Sequence, residues 1–232
     1  MNQIVASEIP TIQPVQRMRI AFTKEGDTRY ISHLDVARAL ERALNRAALP
    51  VAHSQGFNRR PKLSLAAALP LGYTGEAEIA DVWLVEPVTP DDFLEQLSPK
   101  MPPGIAVTSA VEVPLTAPSL QQQMTESLYS VQFMNPIDAV ELEKRVESVM
   151  AAGELIRERT RSKAKRRQSF DLRPLILDLR VESGADGNPL LQLRLVQTAT
   201  QTGKPDDVLA ALGIDPLDAR VHRSALRFAA TD

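Results

Sequence analysis

The 232-residue sequence contains no cysteine. That absence excludes a disulfide framework, a cysteine-ligated zinc site and an iron–sulfur cluster held by this chain. Redox chemistry, if any, is therefore expected to belong to a partner. Aromatic residues are scarce, at 4%, and no RNP signature is present, which argues against a recognition sheet that stacks RNA bases on aromatic side chains. No run approaches the roughly eighteen consecutive apolar residues of a membrane span. The opening MNQIVASEIPTIQPVQ has no basic stretch followed by an apolar block. A cytoplasmic protein with neither signal peptide nor membrane segment is expected.

The charge is nearly balanced, with 27 Lys and Arg against 29 Asp and Glu for a net charge of -2. The balance conceals a local excess. From Arg157 to Arg167 there are seven basic residues and one acidic residue. Such a segment is an electrostatic cue for a polyanion, although many charge runs are only solvated surface.

Residues 1–16 carry two prolines and no periodicity, and read as a tail. Met18, Ile20 and Phe22 then alternate with Arg17, Arg19 and Ala21, the period of a half-buried strand. Ser32 and Asp35 form a short capping pair before a helix with Leu34, Ala37, Leu40, Leu44 and Ala47 along one side. After an extended, Pro-containing stretch, Glu78 to Val85 reads as a strand. Thr89 caps a helix opened by Pro90, and Ile105 to Val113 is a further strand. The Pro- and Gln-rich residues 116–127 read as a linker. A second series follows: a strand at Tyr129, Val131 and Phe133, and a helix capped by Asn135 and opened by Pro136. Next come a hairpin with Leu175, Leu177, Leu179 and Val181 facing Leu191, Leu193 and Leu195, a helix from Pro205 ended by Gly213, and a strand from Val221 to Phe228. The order β-α-β-β-α-β thus occurs twice. The expected fold is α+β, with two tandem ferredoxin-like domains over 17–115 and 128–229, the second carrying a basic insertion at 155–173.

The segments RMRIAFTKEGDTRYISHLDVARALERAL, SQGFNRRPKLSLAAALPLGY, KPDDVLAALGI and ARVHRSALRF resemble the uncharacterised radical-SAM-linked protein family. Its members stand alone or are fused behind a cobalamin-binding radical SAM domain. The likeness runs from Arg17 to Phe228. The family favours Pro, then His or Arg, where this chain has Arg59 and Arg60, so position 59 is more basic here. The resemblance implies a radical SAM protein as partner. The absence of cysteine fits an accessory role, because such an enzyme needs three cysteines for its cluster.

Two segments are candidates for phosphate contacts. One comprises Arg157, Arg159, Arg161, Lys163, Lys165, Arg166 and Arg167, with Arg173 beyond them and Ser162 and Ser169 as neutral donors. It reads as a long connection that neutralises several phosphates, or as a solvated loop. The other runs from Ser54 to Lys62, where Phe57 offers a stacking face and Arg59, Arg60 and Lys62 offer donors. A turn with Phe57 in the core is the competing reading. Arg223, beside His222, is a third candidate on a phosphate-facing or interdomain strand. His33, at a helix start, and His53 are weak candidates for a general acid or base. No Ser-His-Asp order, HExxH, GxGxxG or Walker pattern occurs, and no metal or cofactor is expected.

The expected function is a non-catalytic RNA-binding or substrate-presenting module beside a cobalamin-dependent radical SAM enzyme, in tRNA or rRNA modification, with both basic segments converging on one groove. A metal-independent ribonuclease of the duplicated ferredoxin-like type, using His33 or His53, is an alternative. A purely protein-binding adaptor is another.

Overall fold

Alternation of apolar side chains begins the architecture at β1 (Gln16–Lys24), where Met18, Ile20 and Phe22 are buried. A computed structural model describes residues 13–55, 59–161, 166–184 and 187–229. After a 3-10 turn comes α1 (His33–Arg46), whose N-cap Ser32 accepts the Asp35 N–H and donates to the Asp35 carboxylate at 2.7 Å. Val36, Leu40, Ala43 and Leu44 are its buried side. Leu34, expected among them, is 65% exposed. Six residues before Leu40, it lies about 120° around the helix from that side chain. The short β2 (Leu63–Leu65), the long β3 (Thr74–Leu84), α2 (Pro90–Leu97) capped by Thr89, and β4 (Val107–Val113) complete the first half.

The region read as a linker is partly structured. Ser119 and Gln122 form a capping box on α3 (Leu120–Gln123), and β5 (Met124–Phe133) starts directly after it. In α4 (Ala139–Ala151) the N-cap is Asp138, whose carboxylate accepts the Glu141 N–H at 2.8 Å, so the helix begins later than an Asn135 cap predicts. The basic segment is not a plain connection: β6 (Ile156–Arg161) and β7 (Arg166–Asp171) pair as a two-stranded ribbon. Then follow β8 (Ile176–Ser183), β9 (Pro189–Val196), α5 (Pro205–Ala211) and β10 (Ala219–Phe228). Gly213 follows α5 with a φ of +74°, the left-handed stop its position predicts. A register shift between Ile176 and Asp178 breaks the expected alternation in β8, so Ile176 and Leu179 are its buried residues.

The chain is α+β with one large mixed sheet of eight strands. In the first half the strands lie in the order β4-β1-β3, with β2 pairing the far edge of β3, and in the second the order is β10-β5-β9-β8. The halves meet edge to edge. β10 runs parallel to β3, with His222 opposite Thr74 and Arg223 opposite Gly75. The core of the first half joins β1, β3 and β4 to α1 and α2; that of the second joins β5, β8, β9 and β10 to α4 and α5. Leu69 and Tyr73, from the segment between β2 and β3, are buried in the second core.

The sheet faces turned away from the helices have different fates. Over the first half, residues 117–123 lie across the sheet: Arg17 donates to the carbonyls of Ala117 and Pro118, and Gln121 donates to that of Leu65 at 2.6 Å. Leu120 and Met124 pack there against Ala66 and Leu226. Below, Asp81 is fully buried between Arg17 and Arg19.

Candidate functional site

The basic ribbon is built out from the second half. Its register sets Arg157 opposite Phe170, Arg159 opposite Gln168 and Arg161 opposite Arg166, while Thr160 faces Arg167. Ser162, Lys163 and Lys165 lie outside the described residues. The root is fixed by Asp171, whose carboxylate accepts the N–H groups of Leu155 at 2.8 Å and Arg173 at 3.0 Å. Phe170 and Leu155 pack on the second core. Arg157 is half-buried, and its Nε has no hydrogen-bond partner among the described residues.

Two arginines expected to meet phosphate are committed elsewhere. Arg173 donates from Nε and one NH2 to the Met150 carbonyl at 3.2 and 2.9 Å, and from the other to that of Ile176 at 3.0 Å. It therefore caps the C-terminal end of α4, where free carbonyls need donors. Arg223 is 1% exposed and holds both oxygens of Glu78, so it is an internal residue without surface for a ligand.

In the first half, Arg59, Arg60 and Lys62 are exposed. The neck of their loop is closed by the Ser54 N–H on the Arg60 carbonyl at 2.8 Å and by the Arg60 N–H on the Ser54 hydroxyl at 3.1 Å. Exposed His53 forms a backbone bridge to Pro61 in the same neck. Lys62 and Arg17 each stand 5.0 Å from the centre of the Trp83 ring. Gly56, Phe57 and Asn58 lie outside the described residues, and the stacking candidate Phe57 with them. The loop and the ribbon are not neighbours in the sheet. β2 shares an edge of β3 with β10, and three strand spacings, about 14 Å, separate that line from β8, beside which the ribbon is rooted.

A dense set of buried ionisable groups lies at the seam, where the candidate Arg223 is joined by Glu78, Lys24 and Tyr73, residues that the sequence does not single out. Arg223 Nε donates to Glu78 at 2.7 Å, and its NH groups also reach the carbonyls of Ala67 and Ala68 at 3.3 Å. Burial opposes the Arg223 charge most strongly, but the Glu78 carboxylate and Tyr129 together outweigh it and raise its pKa above the ordinary arginine value. Gly75 is needed beside this pair, because a Cβ there would lie 2.5 Å from a Glu78 oxygen. Lys24, 1% exposed, donates to the carbonyls of Tyr73 and Arg29 at 3.3 and 3.4 Å. Burial lowers its pKa, with Glu78 pulling the other way. The Tyr73 hydroxyl crosses the seam to Asp206 at 2.5 Å, and burial together with that bond pushes the phenol pKa up.

The sequence carries a signal for this cluster: Lys24 continues the buried phase of Met18, Ile20 and Phe22, and Glu78 continues that of Ala80, Val82 and Leu84. A charge in a core phase demands a buried partner. The four segments that carry the family resemblance also meet here, contributing Lys24 and His33, Tyr73, Asp206, and Arg223.

His33 is half-buried in the field of the same groups. Burial lowers its pKa from the ordinary 6.5; Glu78 opposes that shift, and Arg223 and Lys24 assist it. The unfolded chain thus takes up this proton first as the pH falls below 6.5, and stability is lost from there down to the folded-state value. Urea midpoints measured at pH 7.5 and 5.5 should fall further for the native protein than for His33→Gln. Equal falls in both proteins would show that His33 titrates alike folded and unfolded.

No group of three or more metal-ligating residues occurs among the described residues, and no helix there is long and apolar enough to cross a membrane. Among solved structures, the chain is similar to one titled "Crystal Structure of a Cbf5-Nop10-Gar1 Complex", at 13% identity and a TM-score of 0.46, over 93% of this chain and 50% of that one. It is also similar to "Crystal structure of the archaeal box H/ACA sRNP Nop10-Cbf5 complex", at 13% identity and a TM-score of 0.41, over 89% of this chain and 46% of that one. It spans about half the length of the solved chains it matches. No curated protein matches it. A family model described as an uncharacterised protein conserved in bacteria matches residues 17–205, most of the sequence, and the chain belongs to that family, DUF2344.

Proposed function

We propose that this protein is an RNA-binding or substrate-presenting module with no reaction of its own, formed by two ferredoxin-like units in tandem. It works beside a cobalamin-dependent radical SAM enzyme in tRNA or rRNA modification. The observation that carries the RNA reading is the ribbon of β6 and β7, a separate two-stranded sheet on the segment with seven basic residues and one acidic residue. Seven like charges on one segment repel one another when bare and are stabilised by a polyanion. Arg59, Arg60 and Lys62 serve as a separate outlying contact. The tandem reading is supported by the strand order, fourth-first-third-second in each half. The partner is drawn from the family resemblance and from the lack of cysteine.

The test is to isolate the untagged protein from its own cell and identify the RNA and protein that accompany it. RNA together with a radical SAM enzyme is the expected result. A protein partner that remains after nuclease treatment, with no RNA bound by the purified chain, would instead make it a protein adaptor. The position of His33 at the seam favours one second reading, a ribonuclease with that histidine as acid or base. Labelled RNA incubated with the protein and a chelator stays intact under the first reading and is cut under the second.

A further inference from the structure

Among the described residues, no segment closes the helix-free sheet face of the second half, where Arg180, Arg194 and Arg227 are exposed, whereas residues 117–123 close the corresponding face of the first half. Register places Arg194 between Leu128 and Asp178, and Arg227 beside Glu126. The charges are layered. Arg180 is 71% exposed above an Asp178 that is 30% exposed, with 2.8 Å between them. Arg194 and Arg227, at 42% and 54%, stand over Glu126 at 24%. They share that carboxylate at 3.8 and 3.6 Å, beyond hydrogen-bond length, and Arg194 Nε is enclosed without a hydrogen-bond partner among the described residues. The guanidinium groups therefore form the outer layer and keep unused donors, around a cleft of 280 Å³ lined by all three arginines together with Asp178 and Glu182, the Glu182 carboxylate accepting from Gln192 at 3.0 Å.

Position adds to charge. The ribbon leads through Arg173–Leu175 directly into β8, so the Asp178 and Arg180 part of this face adjoins the ribbon root. Among the described residues no aromatic lines the cleft, so the chemistry its arginines offer is phosphate contact rather than base stacking. Guanidinium groups suit it, because their fork of donors matches two phosphate oxygens.

We propose that this open face is a phosphate-binding track, on which Arg180, Arg194 and Arg227 hold backbone phosphates of the RNA strand gripped by the ribbon. The inference rests on the RNA-binding reading above. It assigns single-stranded RNA to the face, bound without regard to sequence.

The test measures affinity for a labelled 20-nucleotide oligouridine against salt, for the native protein, Arg194→Gln/Arg227→Gln and Arg194→Lys/Arg227→Lys. The glutamine variant should bind about tenfold more weakly, and its log–log salt slope should be shallower by about 1.4, near 0.7 for each lost contact. The lysine variant should keep the native slope, because the charge is retained. An unchanged affinity and slope in the glutamine variant, with native binding intact, would remove the track and leave the ribbon's role standing. Failure of the native protein to bind at any salt would remove both.

Discussion

Replacing Glu78 by alanine should lower the free energy of unfolding by about 3–5 kcal/mol, the usual consequence of removing one partner from a buried ion pair. Arg223 is 1% exposed and would keep only the carbonyls of Ala67 and Ala68, which do not neutralise a cation. Lys24, equally buried, would lose the carboxylate that offsets its burial. The pair also ties β3 to β10 where the halves share only two register positions, so the loss falls on their union. Equilibrium urea denaturation measures the effect. The double replacement Glu78→Leu/Arg223→Met should recover part of it, because the Arg223 charge is then gone and only Lys24 is left inside without its carboxylate. A Glu78→Ala protein within about 1 kcal/mol of native would mean that Arg223 finds water or another anion there.

Asp81→Asn should cost about 3 kcal/mol and act in a different place. This carboxylate is fully buried and accepts from Arg17 Nε at 3.0 Å and from Arg19 at 2.8 and 3.2 Å. An amide cannot balance both guanidinium groups. Arg17 also holds the carbonyls of Ala117 and Pro118 and stacks on Trp83, so the segment over the first sheet should loosen with it. Hydrogen exchange at 117–123 should accelerate, and fluorescence of the single tryptophan should shift. Native exchange there, combined with a stability loss, would show that the segment is held by Leu120 and Met124 instead.

Strands such as β1 and β9 were legible because one side is buried, so apolar residues alternate with the pleat. Helices with a single strong cap, such as Thr89 before α2, were legible for a similarly local reason. What escaped depends on contacts distant in sequence. Asn135 and Asp138 are both good caps, but Asp138 takes the role while Asn135 donates to Asp218, 83 residues away, at 3.1 Å. The pairing of β3 with β10 joins residues 148 positions apart, His222 and Thr74, and no local pattern announces it. The ribbon escaped because its alternating residues are arginines, whose spacing reads as charge before it reads as strand. At the candidate site, sequence identified the cations but not their allegiance: Arg173 and Arg223 resemble the other arginines in sequence, yet a helix end and a glutamate bind them internally.

The most direct test of the ribbon's role is the salt dependence of RNA affinity for the native protein and for Arg166→Glu/Arg167→Glu. With about six phosphates neutralised, the native log–log slope should be near -4, a loss of roughly 250-fold between 50 and 200 mM salt. The variant's slope should be shallower by about 1.4, with binding weakened alike for unrelated sequences. A native slope near zero, or a variant that binds as tightly and as steeply as native, would contradict it.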